Sequence, residues 1–218
     1  MIQLDNVSKT YHARSGPVHV LRGVNLHVEK GDKVGIVGRN GAGKSTLIRL
    51  IGDIEDPTSG TITRTMRISW PLAFTGAFQG TLTGIDNVRF ICRIYEKTFE
   101  EVIDFVQDFS QLGRFLKEPV KIYSSGMRAR LAFAISLMID FDCYLIDEVV
   151  AVGDARFLQK CQDELFERRK DRALIIVSHD IHYLRAHCER ACVLADGQLH
   201  EFHDLDDALL FHQEQMAA

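Results

Sequence analysis

The chain has 218 residues, 46% of them hydrophobic, and its 26 basic and 30 acidic residues give a formal net charge of −4. This balance argues against a nucleic-acid-binding protein, because proteins that bind nucleic acid by bulk electrostatics carry a basic excess. The hydrophobic fraction argues against disorder. At about 150 residues per domain, the length favours a single domain with room for an inserted lobe.

The sequence predicts neither a membrane-spanning segment nor a secretory signal. Its longest strongly apolar run, Leu131–Ile139, is bounded by Arg130 and Asp140, whereas a spanning helix needs about 20 residues. The chain begins without the basic and apolar regions of a signal peptide. Five cysteines form an odd and scattered set, which favours a reducing cytosolic compartment.

The N-terminal third predicts short strands, followed by a glycine-rich loop and a helix. Apolar alternation predicts the strands, and glycine and proline predict the turns. The predicted elements are strands at Ile2–Val7, Val18–Leu21, Val24–Val28 and Lys33–Val37, a helix at Lys44–Ile51 and a turn at Pro57–Gly60.

The middle of the chain, from Asn87 to Asp140, has the apolar spacing of helices. Thr98 and Glu101 form a capping-box pattern at the start of one helix. A second helix is predicted to begin at Ser124 or Ser125. These helices predict a lobe inserted between strands.

Strands and helices alternate in the last third of the chain. The predicted elements are strands at Cys143–Ile146, Ala173–Val177 and Ala191–Leu194, helices at Phe157–Arg169 and Ile181–His187, a hairpin turn at Asp196-Gly197 and a short amphipathic tail at Leu205–Phe211. Such alternation indicates an α/β fold with a mainly parallel core. We predict antiparallel strands at the start of the chain and a helical lobe in its middle.

The glycine-rich stretch matches the phosphate-binding P-loop pattern in full, from Gly38 through Gly43 to Lys44 and Ser45. Glycines let backbone N–H groups approach phosphate oxygens, and the following helix adds the positive end of its dipole. Lys44 is expected to reach the β- and γ-phosphates, and the Ser45 hydroxyl to bind Mg²⁺. A flexible turn with a chance lysine and serine is the alternative.

Two strand ends carry further polar residues. Asp147 and Glu148 follow the buried strand at Cys143–Ile146, where doubly wound sheets bind ligands. Asp147 is predicted to hold Mg²⁺ through water, and Glu148 to polarise the attacking water. His179 follows the next apolar strand and could donate to a γ-phosphate, although a histidine that merely caps a loop would give the same pattern.

Ser124, Ser125 and Gly126 stand at the start of the second predicted helix. A serine and a glycine at a helix N-terminus form a second phosphate-ready site. An ordinary N-cap explains the same residues.

Together these motifs resemble the ATPase subunit of ABC transporters over nearly the whole chain. The resemblance implies a P-loop NTPase core of the ABC-ATPase type, with an N-terminal antiparallel β subdomain and an inserted helical subdomain. It implies one domain, with a core at about 1–84 and 141–218 and a lobe at about 85–140. It assigns catalysis to Glu148, His179 and Gln79, and Mg²⁺ binding to Ser45, Gln79 and Asp147. The nucleotide-binding residues that the resemblance implies are Tyr11 (stacking on adenine), Gly38, Arg39, Asn40, Gly41, Ala42, Gly43, Lys44, Ser45, Thr46, Ser124, Ser125, Gly126 and Asp154.

The resemblance also implies partners. Two copies would form a head-to-tail dimer, in which each ATP lies between the P-loop of one chain and the Ser124–Gly126 helix of the other. A separate polytopic permease would be required for transport, with envelope-spanning export proteins beyond it. The chain would lie on the cytoplasmic face of a bacterial inner membrane, and no nucleic acid is expected as a partner.

Departures from the common ABC pattern resemble the polysaccharide-exporter branch. The signature reads Tyr123-Ser124-Ser125-Gly126-Met127 in place of Leu-Ser-Gly-Gly-Gln, and the stretches at 78–84 and 152–157 are similar to those of exporter ATPases. The short segment after His179 favours capsular-polysaccharide exporters. O-antigen or teichoic-acid exporters, a soluble non-transport ABC ATPase and a nucleotide-responsive regulatory module are the alternatives.

Overall fold

The computed structural model describes residues 1–72, 78–147, 154–179 and 181–217. The chain divides into two compact units. The first contains the described residues of Met1–Pro71, Phe141–Glu148 and Lys170–Ala218, and the second those of Leu72–Asp140 and Val149–Arg169. No helix in the described part of the chain is long and apolar enough to cross a bilayer.

An antiparallel sheet of three strands opens the first unit. It consists of β1 (Ile2–Ala13), β2 (Gly16–Val28) and β4 (Ser59–Arg64) in the order β2-β1-β4. The two short strands predicted at 18–21 and 24–28 are one strand, because shifts of register between β1 and β2 keep them paired across the irregular positions. The strand β4 was not predicted, and it follows directly from the predicted turn.

A second sheet of six strands carries the predicted P-loop and Asp147 at its carboxyl edge. Its order is β5-β6-β7-β3-β8-β9, and all its neighbours pair in parallel except β8 and β9. The strands are β3 (Lys33–Gly38), β5 (Ile68–Pro71), β6 (Cys143–Asp147), β7 (Ala173–Val177), β8 (Arg190–Ala195) and β9 (Gln198–Phe202). This topology confirms the predicted mainly parallel core.

One hydrophobic core joins both sheets to the helix α1 (Lys44–Ile51). Every residue of β7 is buried, as expected for a central parallel strand covered on both faces. The helices α6 (Ile181–His187) and α7 (Leu205–Ala217) complete this unit. The helix α7 extends the predicted tail, which ended at Phe211.

The second unit is helical. It contains α2 (Gly84–Ile94), α3 (Phe99–Ser110), α4 (Ser125–Met138) and α5 (Ala155–Gln162), and α5 continues into a π-helical turn at Asp163–Glu167. The predicted helix at Phe157–Arg169 therefore begins two residues earlier and changes its hydrogen-bonding pattern after Gln162. Two short 3₁₀ turns, Gly113–Lys117 and Val120–Ile122, precede α4.

Aromatic packing explains why α5 groups with the helical unit. Phe157 of α5 contacts Phe109 of α3 with ring centroids 5.4 Å apart, and Phe133 of α4 at 6.4 Å. The predicted lobe at 85–140 omitted this helix, since residues distant in sequence supply its packing. The predicted capping box at Thr98 also differs: α3 begins there, but the Thr98 side chain accepts no capping hydrogen bond from the described helix.

Candidate functional site

The predicted P-loop lies between β3 and α1, as the sequence pattern requires. Gly41 and Gly43 have φ angles of 81° and 106°, a region that residues with a Cβ seldom occupy. A Cβ on Gly43 would also approach Cγ1 of Val20 to 2.7 Å. Glycine at this position therefore lets the loop turn into α1 while it lies directly against β2.

The side chain of Lys44 folds back over the loop that precedes this residue. Its side chain is buried, and its Nζ donates to the carbonyl oxygens of Gly38 at 2.7 Å and Arg39 at 3.1 Å. The ammonium group therefore lies beside the backbone that would cradle a phosphate. A lysine presented in this way supplies a fixed positive charge for an anion.

At the carboxyl edge of the sheet, the acidic end of β6 lies near the P-loop. In the register of the parallel strands, Asp147 is paired with Val177, and Val177 with Ile36. The ends of β6, β7 and β3 thus meet at one edge, where ligands bind in open α/β sheets. Asp147 is half-buried at this edge.

A cavity of about 440 Å³ gathers the phosphate-binding and metal-binding candidates of the first unit. Its lining residues are Val20, Asn40, Gly41, Gly43, Lys44, Ser45, Thr46 and Asp147. One ammonium group, two hydroxyls and a carboxylate around glycine backbone suit a nucleotide triphosphate with Mg²⁺. That ion uses few protein ligands and takes the remainder from phosphates and water. The donor set therefore fits the predicted cofactors.

A second cavity, of about 880 Å³, shares the lining residues Val20, Asn40 and Gly41 with the first. Arg39 and Ala42 line it together with His212 of α7. Burial, and then the charge of Lys44, lower the pKa of His212, so its neutral form is favoured. Sequence reasoning missed this histidine, because nothing in the pattern of α7 indicates that the helix passes the P-loop.

His179 and Tyr11 also lie in the first unit. His179 is exposed beyond the end of β7 and lines a third cavity, of about 580 Å³, with Arg185 of α6 and Asp206 of α7. Tyr11 is half-buried on β1, and its hydroxyl donates to Glu55 Oε2 at 2.5 Å. The predicted contacts of His179 with a γ-phosphate and of Tyr11 with adenine remain predictions.

The second unit carries the signature-motif serines. Ser124 is the N-cap of α4, and its side chain accepts a hydrogen bond from the Met127 N–H at 3.2 Å. The N-cap interpretation is therefore correct for Ser124. Ser125 is exposed and Gly126 half-buried in the first turn of the same helix. A role in binding a partner's nucleotide remains a prediction for all three residues.

Asp154 fixes the start of α5. Its carboxylate accepts from the Phe157 N–H at 3.0 Å and from Arg130 Nη2, also at 3.0 Å. The Phe157 amide and then the Arg130 charge hold the pKa of Asp154 below its usual range, although desolvation opposes them. Asp154, predicted to bind nucleotide, is therefore tied to α4 in its own chain.

Gln79 is positioned by a buried amide that sequence reasoning missed. The Gln79 backbone N–H donates to Asn87 Oδ1 at 3.0 Å, and Asn87 Nδ2 donates to the Thr83 carbonyl at 2.9 Å. The Gln79 side chain itself is exposed. Only the position of Asn87, in the first turn of a predicted helix after the Gln79 loop, could have signalled this role.

The predicted general base, Glu148, lies outside the described residues, as do the positions 149–153 that follow it. Its role remains a prediction from the sequence. In the described part of the chain, no group of three or more histidine, cysteine, aspartate or glutamate residues could hold a metal ion.

A P-loop at the carboxyl edge of a parallel sheet, with an aspartate in the same cavity, defines a nucleotide-binding P-loop protein. Residues 21–151 match the family model described as ABC transporter. The chain belongs to this family and is an ABC ATPase. The predicted fold class and family are thereby confirmed.

The chain is similar to curated relatives over almost its full length. It is 59% identical over 214 residues to "ATP-binding protein BexA" of Haemophilus influenzae, covering 98% of this chain and 99% of that protein. It is 58% identical over 212 residues to "Capsule polysaccharide export ATP-binding protein CtrD" of Neisseria meningitidis serogroup B, covering 97% and 98%. "Teichoic acids export ATP-binding protein TagH" of Staphylococcus haemolyticus is 40% identical over 190 residues, covering 85% and 72%.

Solved structures show the same fold. The ATP-binding cassette MJ0796, dimeric and bound to ADP and Pi in a post-hydrolysis state, superimposes with a TM-score of 0.79. The match covers 93% of this chain and 98% of that chain at 24% sequence identity.

Proposed function

We propose that this chain is the ATP-binding and ATP-hydrolysing subunit of a transporter that exports a capsular polysaccharide through a separate permease. The observation that carries the ATPase proposal is the cavity that Lys44, Ser45, Thr46 and Asp147 line together. Similarity to CtrD, whose name states capsule polysaccharide export, supports the substrate class.

The residues of the cavity have separate tasks in hydrolysis. Lys44 would neutralise the β- and γ-phosphates, while Ser45 would hold Mg²⁺ directly and Asp147 through water. When bound, the ion would stabilise the charge that develops on the phosphates. Glu148 would accept a proton from the attacking water, and His179 would donate a hydrogen bond to the γ-phosphate.

The second unit has its task in a head-to-tail dimer. Ser124, Ser125 and Gly126 would present the N-terminus of α4 to the nucleotide of the other copy, where the helix dipole favours negative charge. Asp154 would meet the same interface. Gln79 would connect the bound ion and water to the helical unit, so that nucleotide occupancy moves the loop before α2.

The membrane partners follow from the proposed transport role. A polytopic permease would supply the path for the polysaccharide, with envelope-spanning export proteins beyond it. The chain would then lie peripherally on the cytoplasmic face of the inner membrane. Export of teichoic acid or O-antigen is the second candidate, and the lower identity to TagH, 40% against 58% for CtrD, makes capsule export the better supported.

Two substitutions test the ATPase proposal. Glu148→Gln should leave ATP binding intact and lower turnover by on the order of 10²-fold or more, because an amide cannot accept the proton of the attacking water. Lys44→Ala should instead weaken ATP binding, since it removes the charge that faces the phosphates. Steady-state hydrolysis and calorimetric ATP titration measure the two effects.

Each substitution serves as the control for the other. Near-normal hydrolysis by Glu148→Gln would remove Glu148 from the base role. An unchanged dissociation constant in Lys44→Ala would contradict the assignment of the cavity to the triphosphate.

A further inference from the structure

A cluster of polar side chains lies behind Tyr11, at the junction of β1, α1 and the loop that follows α1. The Tyr11 hydroxyl donates to Glu55 Oε2 at 2.5 Å, and Arg49 Nε donates to Glu55 Oε1 at 2.6 Å. Each oxygen of the Glu55 carboxylate therefore accepts a hydrogen bond. The Glu55 carboxylate thus joins Tyr11 of the first strand to Arg49 of the P-loop helix.

Arg49 extends this cluster to the nucleotide cavity. Its Nη2 donates to the Tyr11 hydroxyl oxygen at 3.2 Å and to Thr46 Oγ1 at 3.2 Å. Thr46 is buried and lines the cavity that contains Lys44 and Asp147. The position of the Tyr11 ring is thus set relative to the residues that would hold the phosphates.

Lys9 completes the surroundings of the ring. Its Nζ lies 5.2 Å from the centroid of the Tyr11 ring, within the range of a cation–π contact. The same Nζ donates to the Asp56 carbonyl at 2.6 Å and lies 3.4 Å from Glu55 Oε2. Lys9 therefore occupies one face of the ring, and a base that stacks on Tyr11 would take the opposite face.

The cluster is charged and only partly exposed. The side chains of Lys9, Glu55 and Arg49 are 15%, 25% and 38% exposed. The Tyr11 hydroxyl, followed by Arg49, holds the pKa of Glu55 below its usual range, although burial acts in the opposite direction. Glu55 is therefore ionised at neutral pH and acts as an acceptor for both donors.

We propose that Glu55 is a positioning residue for nucleotide binding: it holds the Tyr11 ring, through its hydroxyl, in place to stack on the base. The inference rests on the proposed ATPase function and adds a residue that the P-loop pattern does not contain. Glu55 does not touch the nucleotide, and it acts by fixing Tyr11 to α1. Its effect should therefore concern the base and leave the phosphates unaffected.

The test compares two triphosphate ligands, of which only one carries a nucleoside. Calorimetric affinities are measured for ATP and for inorganic triphosphate, each with Mg²⁺, in the full-length chain. Tyr11→Phe keeps the ring and removes its hydroxyl, and Glu55→Ala removes the acceptor. Each should weaken ATP binding about five-fold, the loss expected for one typical hydrogen bond, and leave triphosphate binding within two-fold of the unsubstituted chain.

A double substitution tests whether the two residues act through one contact. Tyr11→Phe combined with Glu55→Ala should weaken ATP binding no more than about two-fold beyond the worse single variant, since each removes the hydrogen bond between Tyr11 and Glu55. Tyr11→Ala, which removes the stacking surface, should weaken it ten-fold or more. The kcat values of Tyr11→Phe and Glu55→Ala should stay near that of the unsubstituted chain while KM rises.

Asp53→Asn is the matched control, because asparagine tolerates the positive φ of 58° at this position. Asp53 precedes Glu55 on the same loop, is 71% exposed and pairs with Arg64, so its loss should change neither affinity. Unchanged ATP binding in Glu55→Ala, or an equal loss of ATP and triphosphate binding, would overturn the proposal. Failure of the unsubstituted chain to bind either ligand would instead contradict the ATPase function itself.

Discussion

At the scale of single residues, the site depends on where a side chain is absent. Gly43 combines a positive φ of 106° with a contact that would bring a Cβ to 2.7 Å from Val20. Gly113 has a φ of 53°, but a Cβ there would meet nothing within 4 Å. Substitution of Gly113 therefore adds backbone strain alone, whereas substitution of Gly43 adds backbone strain and a steric clash.

We expect Gly43→Ala to weaken ATP binding ten-fold or more. The left-handed backbone costs about 1–2 kcal/mol for a residue with a Cβ, and relief of the clash with Val20 would displace the backbone N–H groups that face the phosphates. Gly113→Ala should lower the free energy of unfolding by about 1 kcal/mol and leave ATP affinity unchanged. Calorimetric titration and urea denaturation of both variants measure these effects. Equal ATP affinities in the two variants would refute the role of loop geometry.

Local motifs identified the P-loop residues that line the cavity of about 440 Å³, because the P-loop pattern places its residues within eight consecutive positions, from Gly38 to Ser45. The residues that hold other parts of the site could not be predicted in this way. Tyr11 and Glu55 are 44 positions apart, and neither lies in a pattern that indicates a contact. Only the folded arrangement of β1 against α1 brings them together.

At the scale of the elements, the loop before α2 is organised by one buried amide. Asn87 is 2% exposed, accepts from the Gln79 backbone N–H and donates to the carbonyl oxygens of Thr83 and Gln79. It therefore joins the first turn of α2 to the loop that presents Gln79. Removal of the amide would leave buried backbone groups without partners, which costs more than the hydrogen bonds alone.

We expect Asn87→Ala to lower the free energy of unfolding by about 1–3 kcal/mol and to reduce ATP turnover through a displaced Gln79. Gln107→Ala is the control, because Gln107 is an exposed amide on α3 of the same unit. Urea denaturation and steady-state hydrolysis give the two readouts. Loss of stability with unchanged turnover would show that the position of Gln79 does not limit the reaction.

Elements with a strong apolar periodicity were predicted from the sequence. Elements that depend on pairing or packing with neighbouring elements were not. The buried strand β7 and the helix α1 have the predicted bounds. The strand β5 is only four residues long and ends at Pro71, so it carries too little alternation to predict a strand. Its pairing with β6 and the packing of Trp70 against Phe141, with ring centroids 5.5 Å apart, identify it in the structure.

At the scale of the whole molecule, the chain passes between its two units more than once. The strand β6 belongs to the first unit, the helix α5 to the second, and the strand β7 to the first again. The alternation of strands and helices predicted the α/β fold of the first unit. It could not assign α5 to the helical unit, because the aromatic contacts of Phe157 come from α3 and α4.

We propose that hydrolysis of ATP by this chain powers export of a capsular polysaccharide. The most direct measurement compares host cells that lack the chain with cells supplied with either the unsubstituted chain or Glu148→Gln, at equal levels by immunoblot. Polysaccharide is quantified at the cell surface and inside the cells. The unsubstituted chain should restore surface polysaccharide, whereas Glu148→Gln should leave it inside. Normal surface polysaccharide without the chain, or with Glu148→Gln, would show that ATP hydrolysis by this chain does not power export.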